Sequence, residues 1–294
     1  MIRDLIALVR LKKEITKDSI EANEPLLEYF KIKYPQLIRE YLHWFGDQRT
    51  INAASITKTF NEAICDLENQ EFDSVRRDIS YFAGATARIS DDLTDNKEID
   101  PHHVFLLNSQ NENSYSNSLG LFYALNLGLE SLLPFDYLYR FRETKNRYNQ
   151  SQVDSLRLFE KDVTYKEIID IKNRTGGYSA FLLYTFMFPE IEDPSVGFNG
   201  DYNPNGNLPI TKEGALYNLG AWLSRIDDLY DKVLDNRRGM KQLATEGLVT
   251  WKELKLETQY TFDGLGQFYP YDKSQFFRMR FKPFTNKFVS YLFN

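Results

Sequence analysis

Three aspartates, Asp227, Asp231 and Asp235, recur at i, i+4 and i+8 in the stretch GAWLSRIDDLYDKVLDN, residues 220–236. On a helix that spacing lines their carboxylates up along one face. Like charges so placed cost a free helix a few tenths of a kcal/mol per pair, so water or a bound cation must offset the repulsion. At about 100° per residue, Trp222, Ile226, Leu229 and Val233 form an apolar stripe, while Lys232, Arg225, Asn218 and Asn236 share a narrow outward strip. Followed back toward the N-terminus, the acidic face carries Ser224, Gly220 and Tyr217 and no charge. An ordinary surface helix has one apolar and one polar face. This one reads as a carboxylate cluster at the rim of a cavity, with a solvated acidic face as the plainer alternative.

The pattern occurs twice. GATARISDDLTD (84–95) and GAWLSRIDDLYD (220–231) share Gly, Ala, Asp, Asp, Leu and Asp at matching offsets. Asp91, Asp92 and Asp95 fall within about 100° of helical arc, and Gly84 lies on that face seven residues before Asp91. Two helices bearing Asp-Asp-x-x-Asp could oppose their acidic faces across one pocket. Clustered hard oxygens suit Mg²⁺, which keeps several waters and completes its octahedron with a phosphate-bearing substrate. The candidate metal ligands are therefore Asp91, Asp92 and Asp95 with Asp227, Asp228 and Asp231. Arg88, on the first carboxylate face, is either a contact to such a phosphate or the partner of an i,i+3/i+4 salt bridge. Lys172, Arg174, Thr175, Lys232, Arg237 and Arg238 are further candidate phosphate contacts. Tyr81, Gly84, Tyr178, Tyr217, Gly220 and Ser224 are the candidate cavity wall.

The elements needed to position these residues are all helical. Helices are expected over about 52–70, from about Asp73 to Asp95, over 119–133, over 164–188 with a soft break at Gly176-Gly177, and along the second acidic stretch. Asn23-Glu-Pro is expected to open a helix and Pro35 to interrupt one. The segment 190–209, rich in Gly, Pro and Asn, reads as a loop. No alternating strand pattern competes, so the fold class is all-α.

Composition narrows the function. A net charge of −6 argues against nucleic acid as the main partner. Aromatics make up 15% of the chain and could fill the core or line a hydrocarbon pocket. One cysteine, Cys65, excludes an internal disulfide framework, and with His43, His102 and His103 it makes a poor His/Cys zinc set. Arg3, Asp4 and Arg10 interrupt the N-terminal apolar residues, and no run approaches the ~20 apolar residues that span a bilayer. The expectation is a cytoplasmic protein with no integral membrane segment.

The paired Asp-Asp-x-x-Asp helices resemble those of the class I isoprenoid synthase fold, which includes trans-prenyl diphosphate synthases and class I terpene cyclases. KNRTGGYSAFLL (172–183) resembles that family's Lys-Thr-Gly segment before the second acidic motif, and RRGMKQLATEGLVTW (237–251) resembles the segment after it. The likeness is strongest over residues 80–250. It implies one domain over residues 1–294 around a deep apolar cavity, Mg²⁺ as cofactor, a prenyl diphosphate as substrate with Arg88, Lys172, Arg174, Thr175, Lys232, Arg237 and Arg238 as its diphosphate contacts, Asp91 and Asp227 as the leading catalytic carboxylates, and often a homodimer. The Gly-Lys-x-x-Arg type motif for a second diphosphate is absent, as is the Arg pair after the first acidic motif. Their absence favours ionisation followed by cyclisation or elimination, as in a terpene synthase. An Asp-rich second motif keeps prenyl transfer as the alternative, and a non-catalytic isoprenoid- or protein-binding relative as the third.

Overall fold

In a computed structural model, residues 2–45, 48–95, 118–188 and 211–281 are described, and every regular element among them is a helix. In chain order these are α1 (Ile2–Lys33), α2 (Ile38–Phe45), α3 (Gln48–Leu67), α4 (Ser74–Asp95), α5 (Ser118–Ser131), α6 (Leu138–Ser155), α7 (Tyr165–Met187), α8 (Lys212–Arg238), α9 (Trp251–Leu265) and α10 (Tyr271–Phe281). Short 3₁₀ turns lie at Pro35–Leu37, Phe135–Tyr137 and Leu156–Phe159. The all-α class is therefore correct. Among the described residues no helix is long and apolar enough to cross a membrane. His102, His103 and the 190–209 segment lie outside the described residues.

The chain divides into two compact units. The first comprises Val9–Phe141 and Leu183–Glu190 and holds α4 against α3 and α5. Its core includes Ile64, Leu67, Phe82, Ile89, Leu121 and Leu125. Gly128 leaves the room in which Phe82 and Tyr29 meet edge to face, their centroids 5.1 Å apart. α1 runs straight through Pro25, against the expectation that a helix opens there. Proline lacks the N–H of an interior helical position, but Leu26 and Phe30, both fully buried just beyond it, anchor the helix to the core. Lys58 bridges α1 and α3, its Nζ 3.1 Å from Asp18 Oδ2 and 3.2 Å from Glu62 Oε2.

The second unit comprises Met1–Leu8, Arg142–Leu182 and Ile191–Asn294, with α8 packed on α9. Trp222 of α8 is fully buried, stands edge to face with Phe262 at 5.3 Å, and donates its indole N–H to Thr258 Oγ1 at 3.0 Å. Phe262, Phe277 and Phe281 continue that aromatic row into α10. These aromatics fill the core. α8 starts at Thr211, whose hydroxyl oxygen accepts from Gly214 N–H, and stops at Gly239, where φ of 72° suits a residue without Cβ.

α7 is continuous, so Gly176-Gly177 is not a break. The glycines serve helix packing instead. A Cβ on Gly176 would stand 2.5 Å from Gly220 O and 2.6 Å from Ser224 Cβ, and one on Gly177 would run into the Tyr217 ring. The roughly 1 kcal/mol that glycine costs a helix is offset by the close crossing of α7 and α8. The first unit repeats the device: a Cβ on Gly84 would stand 2.5 Å from Ala53 O of α3. The glycine shared by the two acidic motifs is thus, in both units, the point where the acidic helix crosses its neighbour.

Candidate functional site

The second acidic motif is built around a buried ion pair. Lys172 Nζ of α7 lies 2.6 Å from Asp228 Oδ1 of α8, and their side chains are only 10% and 1% exposed. The other oxygen of Asp228 accepts the backbone N–H of Leu243 at 3.2 Å. One carboxylate therefore joins three separate segments: α7, α8 and the stretch that follows α8. That stretch is folded by its own bonds. Thr245 Oγ1 accepts from Gln242 N–H at 2.7 Å, Leu248 N–H reaches Leu243 O at 2.7 Å, and Lys241 N–H reaches Leu158 O at 2.8 Å. Burial acts most strongly on the Lys172 ammonium and would lower its pKa. The carboxylates of Asp228, Asp227 and Asp235 together outweigh it and hold the pKa above the usual lysine value. Removing one partner of such a buried pair costs about 3–5 kcal/mol.

The rest of the motif divides by exposure. Asp227 and Asp231, one turn apart, are exposed, whereas Asp235 is buried. Burial first, and then the charges of Asp231 and Asp228, push the Asp235 carboxyl up to about 6. Lys172 and Arg238 offset part of this, and a further cation beside Asp231 would lower it again. Among the described residues no three His, Cys, Asp or Glu side chains are gathered as a metal-binding group. An Mg²⁺ held by one or two carboxylates and completed by substrate phosphate needs no such cage. Asp227 and Asp231 are exposed on the acidic face, whereas both oxygens of Asp228 are engaged by Lys172 and Leu243.

Of the candidate diphosphate contacts near α7, only Lys172 joins the acidic helix. Arg174, two residues on, projects to another side of α7, where Nη1 pairs with Asp154 of α6 at 2.6 Å and Nη2 with Asp170 at 2.9 Å. Thr175 donates its hydroxyl to Ile171 O at 2.9 Å and approaches Ser151 O of α6 at 3.3 Å. Lys232, Arg237 and Arg238 are exposed; the last two sit in the final turn of α8, where cations complement the helix dipole. Arg225 departs from the outward strip expected of it. It is buried, with Nε 3.1 Å from Glu257 Oε2 of α9, and Asn218 is buried as well. A polar residue matched across a helix interface looks, on a wheel, the same as one facing water.

Around the crossing, Gly220 and Ser224 contact α7 at Gly176, so helix occupies the space beside them. Tyr217 is buried with its ring over Gly177, edge to face with the half-buried Tyr178 at 5.8 Å.

In the first unit Arg88 supplies the local cation. Its Nη1 lies 3.1 Å from Asp91 Oδ2 and its Nη2 2.5 Å from Asp92 Oδ1. Asp91 is exposed, while Asp92 and Arg88 are partly covered. A pair of this kind within one helix contributes a few tenths of a kcal/mol. The side chain of Asp95 lies outside the described part of the structure. Gly84 faces α3, and Tyr81 is buried, its hydroxyl without a hydrogen-bond partner among the described residues. Burial and the nearby Asp18 charge push that phenol up.

The sequence gives no sign of Leu243 as a participant, because its contribution is a backbone N–H. Asp154 and Glu257 have no motif either; each is defined by the arginine it meets. Asp235 belongs to the i, i+4, i+8 series, but its burial comes only from tertiary packing. No family model, curated protein or solved structure matches this chain.

Proposed function

We propose that the chain is a class I isoprenoid-synthase-like enzyme that ionises an allylic prenyl diphosphate with Mg²⁺ and lets the resulting cation cyclise or eliminate to a terpene. The observation that carries this reading is the Lys172–Asp228–Leu243 link. It joins three of the four ordered stretches on which the family resemblance rests, in a way that composition alone gives no reason to expect. The fourth stretch, on α4, repeats the same helix-crossing glycine and paired aspartates.

In this reading Asp227 and Asp231 of α8, with Asp91, Asp92 and Asp95 of α4, hold the metal ions carried by the diphosphate. Bound Mg²⁺ supplies Lewis-acid stabilisation of the departing diphosphate. Arg237, Arg238 and Lys232 add positive charge at the exposed end of α8 for that anion. Lys172 and Asp228 fix the α7–α8 geometry on which the Asp227 carboxylate depends. A single helical domain enclosing an apolar cavity would exclude water from the cation, with aromatic faces such as that of Tyr178 turned toward it. Ionisation needs no general base, in keeping with only three histidines in the chain. The same reading gives a cytoplasmic enzyme, often dimeric in the family it resembles.

Prenyl transfer to an acceptor is the second reading, favoured by the aspartate-rich composition of the α8 motif. A non-catalytic isoprenoid binder is the third, favoured by the occupation of Asp228 by Lys172. Incubating the purified chain with ten-, fifteen- and twenty-carbon prenyl diphosphates and Mg²⁺, with and without isopentenyl diphosphate, separates the three. Hydrocarbon or alcohol from one substrate is the expected result. A longer diphosphate only when isopentenyl diphosphate is present would transfer the assignment to prenyl transfer, and no turnover of any substrate would leave a binder.

A further inference from the structure

Resting on the Mg²⁺ reading of the α8 motif, we propose that Lys172 is a resident cation that keeps Asp228 out of metal coordination and turns it into a latch for the 240–249 segment. Both motifs carry adjacent aspartates, and both have a side-chain cation on them. The two arrangements are not equivalent. Arg88 sits on the same helix as Asp91 and Asp92, partly open to water, and its contact with Asp91 is at the surface. A divalent ion displaces such a partner easily, because screened i,i+3 and i,i+4 pairs are weak. Lys172 comes from a different helix and is buried against Asp228, whose second oxygen is committed to Leu243 N–H. Drawing Asp228 toward a metal would strand a buried ammonium and a backbone donor together, which the interior penalises heavily. The α8 motif therefore serves metal through the exposed Asp227 and Asp231 alone. Asp228 is a positioning residue that holds α7, α8 and the following segment in register.

The probe is Mn²⁺ with inorganic pyrophosphate, followed by electron paramagnetic resonance, alongside hydrogen exchange at the Leu243 amide of the full chain. Asp227→Asn should weaken Mn²⁺ binding by about tenfold or more. Asp228→Asn removes a nearby negative charge but no ligand, so it should weaken Mn²⁺ binding clearly less than Asp227→Asn does, by about threefold at most, while Leu243 exchange rises about tenfold as a charged acceptor becomes a neutral one. Lys172→Gln should release Asp228 and tighten Mn²⁺ binding by about tenfold, and Lys172→Arg should restore wild-type behaviour. A merely structural lysine would weaken Mn²⁺ binding when replaced, and that result overturns the proposal. If Lys172→Gln does not fold, Asp228→Asn decides: equal loss with Asp227→Asn overturns the proposal and retained binding supports it. A wild-type chain that binds no Mn²⁺ defeats the Mg²⁺ reading itself. Leu243 exchange then still judges the latch, which stands if the amide loosens in Asp228→Asn and falls if it does not.

Discussion

Replacing Gly220 by alanine adds one methyl group at the α7–α8 crossing, and the structure leaves no place for it. The new Cβ would lie inside van der Waals contact of the Gly176 carbonyl oxygen and 2.7 Å from Ala180 Cβ. The first obstacle is backbone, so no rotamer change relieves it. The helices must part by about 0.5–1 Å before the repulsion becomes tolerable. Overpacking of this kind costs about 1–3 kcal/mol, and a backbone obstacle belongs at the upper end. Alanine returns roughly 1 kcal/mol of helix propensity, leaving a net loss of about 2 kcal/mol. Gly84→Ala should behave alike, since its Cβ would meet Ala53 O at 2.5 Å and Ala54 Cα at 2.7 Å. In urea titrations followed by circular dichroism, with a slope of about 3 kcal/mol per molar, each variant's midpoint should fall by about 0.7 M. Gly266→Ala is the control. Its Cβ would meet nothing closer than 3.4 Å and its φ is −61°, so that variant should be neutral or stabilised by up to about 1 kcal/mol. The steric reasoning is refuted if Gly220→Ala and Gly84→Ala match the control.

Asp235 and Glu257 give two further tests. Because the folded-state pKa of Asp235 is raised to about 6 from 3.8, the fold binds its proton more tightly than the unfolded chain does. Its charge therefore costs little below pH 4 and most above pH 6. In chelator, with no divalent ion present, Asp235→Asn should be about 1–3 kcal/mol more stable than wild type at pH 8 and no different at pH 3.5. A gap that does not change with pH contradicts the assignment. Glu257→Ala leaves the Arg225 guanidinium buried without its carboxylate and should cost about 3 kcal/mol or more by urea unfolding. The double replacement Arg225→Leu/Glu257→Leu should recover most of that loss, and no recovery would mean that packing rather than charge holds α9 to α8.

Helix positions were mostly legible in the sequence because apolar periodicity is local. Expected spans of about 73–95, 119–133 and 164–188 correspond to α4 (Ser74–Asp95), α5 (Ser118–Ser131) and α7 (Tyr165–Met187). Pro25 misled, because local propensity points to a helix start where buried Leu26 and Phe30 hold one long helix together. Gly176-Gly177 reads in the sequence as a soft break, but the pair marks the crossing with α8, and only the partner's own Gly220 reveals it. The site was legible as a set of segments rather than as a set of bonds. Lys172 and the acidic stretch were both visible, yet nothing in a one-dimensional pattern indicates that Lys172 takes Asp228 while Arg174, two residues away, takes Asp154. Arg225 failed for a similar reason: its charge marks it as surface until Glu257 is brought against it.

The most direct test of the function is the release of inorganic pyrophosphate from a fifteen-carbon allylic diphosphate, measured for the wild-type chain, Asp91→Ala and Asp227→Ala with and without Mg²⁺. Wild type should release it only with the metal, and each single replacement should lower the rate by about a hundredfold or more. Equal rates in all three proteins, or release unaffected by chelator, would contradict an enzyme in which both acidic helices serve one ionisation.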